Sequence, residues 1–191
     1  MAIVQGLTNL VTAFGLSTSA GLNAYIPLLV VSLVARYTDL ITLREPWDAL
    51  TSGWVVGVLV LLLLIEIFVD KIPAVDSVND VIQTIVRPAA GAILFAASSN
   101  VISDIHPVLA LICGLLLAGG VHAVKTTTRP LVTGLTGGAG NALVSTTEDL
   151  LSAITALLAV LLPVLLTVLL MLCAVIIGWW LWQRQRARGT T

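Results

Sequence analysis

An acidic pair follows a glycine-rich stretch in the sequence TGLTGGAGNALVSTTEDLL, residues 133–151. Glu148 stands three residues after Ser145, the S-x-x-E spacing of a capping box, in which the glutamate accepts the backbone N–H of the serine. In the functional alternative, the polar side chains of this stretch lie inside a membrane bundle, where ionisable groups are kept chiefly along ion or solute paths. They are Asn141, Ser145, Glu148 and Asp149. The sequence leaves both interpretations open.

A basic group precedes these glycines, in HAVKTTTRP (122–130). His122, Lys125 and Arg129 recur with the spacing of one helix face. That face would bind an anion or form salt bridges with the acids at 148 and 149. The alternative is a cytoplasmic anchor that also compensates the negative end of the helix dipole.

A third charged group surrounds the motif DKIPAVDSVNDVIQ. It consists of Glu66, Asp70, Lys71, Asp76 and Asp80. Asp76 and Asp80 stand four residues apart on a predicted helix, so they repel each other unless a cation or a basic side chain lies between them. Lys71, Arg87 and Lys125 are the candidate basic partners. Metal binding stays open, although histidine and cysteine ligands at zinc spacing are absent from the sequence.

The elements that must position these residues are apolar helices. Of the 191 residues, 58% are hydrophobic and 10% are charged, and the mean hydropathy is +1.07, whereas a soluble domain has roughly 25% charged residues. The runs at 55–69, 108–121 and 154–182 supply apolar stretches that cross a hydrocarbon layer about 30 Å thick. We therefore predict a single all-α integral membrane domain over 1–191. Glu66, in the last turns of the first run, needs a partner or a water-filled cavity.

About six membrane segments are predicted, some of them discontinuous. They are 4–37, 53–69, 88–102, 107–124, one that begins near 141–146, and one that ends at 179–188. The first is too long for one crossing and should break at STSAG (17–21), before Pro27. A separate short amphipathic helix at 70–88 is predicted at the membrane edge. No polar loop separates segments five and six, so Pro163 would turn a buried connection there; a bent pair or a partial crossing is the equal alternative.

Basic residues predict the orientation in the membrane. The basic tail 183–191 follows three tryptophans, the pattern of a cytoplasmic flank. With six crossings, the connections 70–88 and 122–140 are cytoplasmic as well, which puts seven positive residues inside and two outside. A five-span alternative, with 141–158 re-entrant, gives five against four.

Short echoes in the chain favour an internal duplication. AGLNA echoes AGGVHA, and PAVDSVNDVI (73–82) echoes ALVSTTEDLL (142–151). Half-repeats at 1–104 and 105–182, with three segments each, would be inverted in the membrane, a plan frequent in transporters. Chance similarity is the alternative.

The same motifs resemble DUF4126, an uncharacterised family of bacterial integral membrane proteins. The stretches that carry the likeness are AGLNAYIPLL (20–29), DKIPAVDSVNDVI (70–82), RPAAGAILFAA (87–97), HAVKTTTRP (122–130) and TGGAGNALVSTTEDLL (136–151). Members often have an arginine at the position of Asn23 and a proline at that of Ala142. The resemblance implies a bacterial inner-membrane protein and implies no particular activity.

Charge concentrated on broken, glycine-rich segments predicts a small transporter or channel for an ion or small solute. The rival hypothesis is an accessory or scaffold subunit whose charges pair internally, and a third is an enzyme that acts on a lipid headgroup. Catalytic signatures such as G-x-S-x-G and H-E-x-x-H are absent, and no cofactor is predicted. The expected partners are the lipid bilayer and either further copies of this chain or a larger membrane complex. Nucleic acid is excluded because no basic stripe interleaved with aromatics occurs.

Overall fold

The computed structural model describes residues 2–70, 73–99, 106–138 and 140–188, and these form α-helices joined by short connections. The helices are α1 (Ala2–Leu22), α2 (Tyr25–Tyr37), α3 (Gly53–Val69), α4 (Pro73–Ser99), α5 (Pro107–Thr136) and α6 (Asn141–Arg188). A short 3-10 helix, Trp47–Thr51, lies between α2 and α3. No strand occurs in the described ranges, so the prediction of an all-α chain is confirmed.

The predicted break in the first segment lies at Asn23 and Ala24, two residues beyond STSAG. The Asn23 side chain starts the next helix, because its Oδ1 accepts the backbone N–H groups of Tyr25 at 2.9 Å and Ile26 at 3.1 Å. These are two of the N–H groups that a new helix leaves without an internal partner. Pro27 follows in the first turn, where its missing N–H has no consequence.

The separate interfacial helix predicted at 70–88 is wrong. The structure has one helix from Pro73 to Ser99, which passes through Pro88. The predicted amphipathic pattern is present, but its polar face meets charged side chains of other helices. Gln83 and Arg87 are therefore fully buried, while Ile85 on the opposite face is exposed.

The turn predicted at Pro163 is also wrong. Helix α6 continues through Pro163 to Arg188, over 48 residues. Nothing polar in AVLLPV satisfies the backbone groups that a turn would release, so continuing the helix is favoured in an apolar setting. Before the other end of α6 the glycine-rich stretch turns, because Gly137 has a left-handed φ of 62° and ends α5.

A stripe of small residues brings the helices close together. Helix α1 packs against α4, α5 and α6, and α4 packs along α5. We call the residues at these contacts the small-residue seam: Gly15, Ser17, Ser19, Gly91, Gly114, Ala118, Ser152 and Ala159. A Cβ on Gly114 would lie 2.8 Å from the Cα of Ala92, so α4 and α5 approach backbone to backbone.

Three described helical stretches are long and apolar enough to cross a membrane: Asn79–Ser98, Pro107–Thr136 and Asn141–Pro163. Tyr25–Tyr37 and Gly53–Val69 are shorter apolar helices. The fold is therefore compatible with a membrane, but these long stretches are fewer than the six crossings predicted. The half-repeats stay a prediction: both acidic echoes begin a helix, whereas AGLNA reaches a helix break and AGGVHA lies within unbroken α5.

Candidate functional site: a buried charge cluster

Charged side chains converge where α3 and α5 end and α4 and α6 begin. We call this group the polar cluster: Glu66, Asp70, Asp80, Arg87, His122, Lys125, Arg129, Glu148 and Asp149. All but Arg87 were predicted site residues, and they come from α4, α5, α6 and the end of α3. The three predicted charged groups are thus one site.

Arg87 and Glu66 form the most deeply buried ion pair of the polar cluster. Arg87 Nη2 donates to Glu66 Oε1 at 2.9 Å, and both side chains are 1% exposed. The pair supplies the partner that Glu66 requires at the end of an apolar helix. Arg87 thus joins the polar face of α4 to α3.

His122 extends this pair towards the start of α4. Arg87 Nη1 lies 3.3 Å from His122 Nδ1, and His122 Nε2 lies 3.1 Å from Thr84 Oγ1. Because an arginine has only donors, Nδ1 accepts, and Nε2 carries the proton that is donated to Thr84. The Thr84 hydroxyl group in turn donates a hydrogen bond to the Asp80 carbonyl oxygen at 2.8 Å. His122 is therefore a hydrogen-bonded, neutral member of the cluster.

Arg129 connects acids from three helices. Its Nη1 lies 3.0 Å from Asp80 Oδ2, and its Nη2 lies 3.6 Å from Asp70 Oδ2 and 3.4 Å from Glu148 Oε2. The planar guanidinium presents its donors on separate nitrogens, so it reaches acids in different directions, whereas a lysine has one point of charge. Arg129 thus ties the ends of α3 and α5 to the beginnings of α4 and α6.

Lys125 links the cluster to the helix break. Its Nζ lies 2.7 Å from Glu148 Oε2 and donates to the Leu22 carbonyl oxygen at 3.3 Å. Leu22 is the last residue of α1, so Lys125 satisfies a carbonyl that the end of the helix leaves free. Of the interpretations of this basic face, the structure supports salt bridges with an acid of α6, because His122, Lys125 and Arg129 are buried and Lys125 and Arg129 contact Glu148.

Asp149 meets the helix break from the other side. Asn23 Nδ2 donates to Asp149 Oδ1 at 2.9 Å, across 126 residues of chain. Asn23 is fully buried, and its other amide atom begins α2. One amide therefore joins α6 to the junction of α1 and α2.

The capping box predicted at Ser145 and Glu148 is wrong. Ser145 is the fifth residue of α6 and donates its hydroxyl to Asp70 Oδ2 at 2.9 Å, and Glu148 turns to the basic residues of α5. The helix begins instead at Asn141, whose Oδ1 accepts from Thr133 Oγ1 at 3.0 Å. Long-range ionic contacts have replaced the local cap.

For two predicted site residues near the start of α4, the structure does not describe the side chain. Lys71 lies outside the described residues, and Asp76 lies in α4 with a side chain outside them. The basic partner of Asp80 is Arg129, which was not among the partners proposed for it. Asp70 also accepts from Asn79 Nδ2 at 2.9 Å.

Asn23, Gln83 and Arg87 were missed as site residues. Asp80, Gln83 and Arg87 recur at the spacing of one helix face, and this spacing would have identified Gln83 and Arg87 as site residues. Asn23 gives no such signal because its partner is distant in sequence. Glu66 Oε2, Gln83 Oε1 and Arg87 Nε are buried and have no hydrogen-bond partner among the described residues.

The polar cluster contains more acids than bases. Its described side chains include five carboxylates and three cations, with His122 neutral. The excess of negative charge is costly in a low-dielectric interior unless cations or protons offset it. No group of three or more histidine, cysteine, aspartate or glutamate residues suited to a metal ion is found in the described part of the chain.

The fold and the polar cluster define an all-helical, membrane-compatible protein with charged residues held inside its helix bundle. The chain belongs to the family described as Domain of unknown function (DUF4126), whose sequence model matches residues 10–184. That match confirms the resemblance drawn from the motifs. No curated protein and no solved structure matches the chain.

Proposed function

We propose that this protein is a small bacterial membrane transporter or channel, and that its ion or small solute passes through the polar cluster. The observation that carries the proposal is the excess of carboxylates over cations in a buried site. Ionisable groups within a membrane are expensive and mark ion or solute paths and proton relays. A purely structural network would be expected to balance its charges.

The broken helix supports the same proposal. Between α1 and α2, Asn23 and Ala24 leave the regular helix, and Asn23 and Lys125 satisfy backbone groups there. Interrupted helices near the midplane form the binding sites of many secondary transporters. The buried atoms Glu66 Oε2, Gln83 Oε1 and Arg87 Nε add both acceptors and a donor with which a polar solute can bond.

Flux measurements in sealed proteoliposomes test the proposal. Purified protein is reconstituted with pH and ion reporters and challenged with a panel of cations, anions and small metabolites. We expect flux above that of protein-free vesicles, reduced in Glu148→Gln, which removes the charge facing Lys125 and Arg129. Asp48→Asn, on the exposed 3-10 helix, is the matched control and should behave as wild type. The absence of flux for every solute, with all proteins equally folded, would refute the proposal.

An accessory or scaffold subunit is the second candidate. It is favoured by the observation that Arg87, Lys125 and Arg129 each contact a carboxylate. Such a network can hold helices in register without moving any solute. In that case the partner would be a second copy of this chain or a larger membrane complex. Crosslinking in the native membrane would then capture that partner, and the proteoliposomes would show no flux.

We also propose the bacterial inner membrane as the location, with several crossings and a cytoplasmic tail at 183–191. The positive-residue count needs revision, because Arg87, Lys125 and Arg129 are buried against acids and no longer count as loop charges. The proposal therefore rests on the tail itself, which follows a tryptophan-rich helix end. Reporter fusions at the C-terminus, active only in the cytoplasm or only outside it, test the orientation.

A further inference from the structure

We propose that Asp149 is the proton-binding group of this protein and that its protonation loosens the junction between α1 and α2. The inference rests on the proposed function and names its coupling ion. The geometry points to Asp149 because of two independent features. It is the acid that contacts the helix break, and it lacks the ion pair that its neighbours have.

The other acids of the polar cluster each have a basic partner. Glu66 pairs with Arg87, Asp70 and Asp80 with Arg129, and Glu148 with Lys125 and Arg129. Asp149 has no ion pair with any residue in the described ranges and takes a neutral amide as its partner. A proton that offsets the excess negative charge of the cluster therefore binds at the lowest energetic cost at Asp149, because protonation there breaks no salt bridge.

Charged groups of both signs lie around Asp149. Asp70 on the α3 side, Lys125 from α5 and Arg87 from α4 are the charged groups that act on Asp149. The junction of α1 and α2 presents the neutral amide of Asn23. Asp149 is half-buried, whereas Glu66 and Asp70 are buried, so it is better placed than those two acids to exchange a proton with water.

Protonation would reach the backbone through Asn23. The hydrogen bond from Asn23 Nδ2 to the ionised Asp149 is charge-assisted, and such bonds are roughly twice as strong as neutral ones. A proton on the carboxyl group removes the charge and weakens this bond. Because Asn23 Oδ1 holds the first N–H groups of α2, the start of α2 is released from α6 in the same step.

The proposed cycle needs no other reactant. A proton from one aqueous side adds to a carboxylate oxygen of Asp149, the junction moves, and the same proton leaves to the other side. No covalent bond other than O–H forms or breaks, and no electron is transferred. Solute movement would follow the proton gradient.

Infrared difference spectroscopy on the full-length protein in lipid tests proton binding independently of transport. Acidification of wild type should raise the carbonyl stretching band of protonated carboxylic acids, and Asp149→Asn should lose the component of that band which Asp149 contributes. Asn23→Ala, which keeps the acid and removes its amide partner, should retain that component at a shifted frequency. Asp39→Asn, at an exposed acid after α2, is the control: it should lose the contribution of Asp39 and keep the component assigned to Asp149. A band unchanged in Asp149→Asn would overturn the inference.

Flux in the same proteoliposomes separates this inference from the proposed function. We expect wild-type flux to depend on an imposed pH gradient and Asp149→Asn to lose that dependence. Flux that ignores the gradient in wild type would overturn proton coupling while the transporter proposal stands. No flux of any solute would overturn the transporter proposal, and the infrared band would then decide proton binding at Asp149 alone.

Discussion

The small-residue seam and the polar cluster occupy neighbouring lengths of the same helices. In the seam, Ser19 and Ser152 exchange hydrogen bonds with each other's backbone, and Gly91 and Gly114 let α4 and α5 touch. In the polar cluster, long side chains span wider gaps and are held by opposite charge. The seam fixes the spacing between the helices, because its small residues leave no room for larger side chains. The polar cluster is held by ionic interactions that change when a proton or an ion binds, so it is the part suited to function.

The largest expected effect comes from breaking one buried ion pair. Arg87→Met would leave Glu66 buried and without its partner, which costs about 3–5 kcal/mol of stability. The double variant Glu66→Gln with Arg87→Met removes both charges and should recover most of that loss. Thermal unfolding in detergent measures both variants, with Arg44→Met, at an exposed arginine, as the control. A double variant as unstable as the single one would show that packing, not charge, holds this site.

The seam should be sensitive to a single methyl group. In Gly114→Ala, the new Cβ would lie 2.7 Å from Phe95 Cβ and 2.8 Å from Ala92 Cα. Overpacking of this kind costs about 1–3 kcal/mol. Gly120→Ala, on the same helix and with no atom near the added Cβ, should be as stable as wild type or more stable. Size-exclusion profiles and unfolding temperatures compare the two, and equal behaviour would argue against close contact between α4 and α5.

The smallest expected effect concerns the serine pair of the seam. Ser152→Ala removes hydrogen bonds to Ser19, and such bonds between membrane helices contribute about 0.6 kcal/mol on average. Ser32→Ala is the matched control, because the Ser32 hydroxyl is buried without a hydrogen-bond partner among the described residues. We expect a small loss in the first variant and none in the second. A larger loss at Ser32 would contradict this assignment of the seam's hydrogen bonds.

The residues of the candidate site were largely predictable, but their pairing was not. A salt bridge between Glu148 and the basic face of α5 was one of the alternatives that the sequence left open, and Lys125 and Arg129 form it. The sequence also suggested a local cap for Glu148, which was wrong because ionic partners across the bundle compete with capping. The contact between Ser145 and Asp70 spans 75 residues of chain and has no local signal.

What the sequence determined by itself was local in origin. Composition established apolar helices, glycine chemistry placed the turn at Gly137, and polar small residues put a helix break near Asn23. Tertiary structure decided which face of each helix meets charge. It put Arg87 against Glu66 and Asp149 against the junction of α1 and α2. The physical reason is that backbone preferences act over a few residues, whereas a buried charge is stabilised only by the particular partner that the fold brings to it.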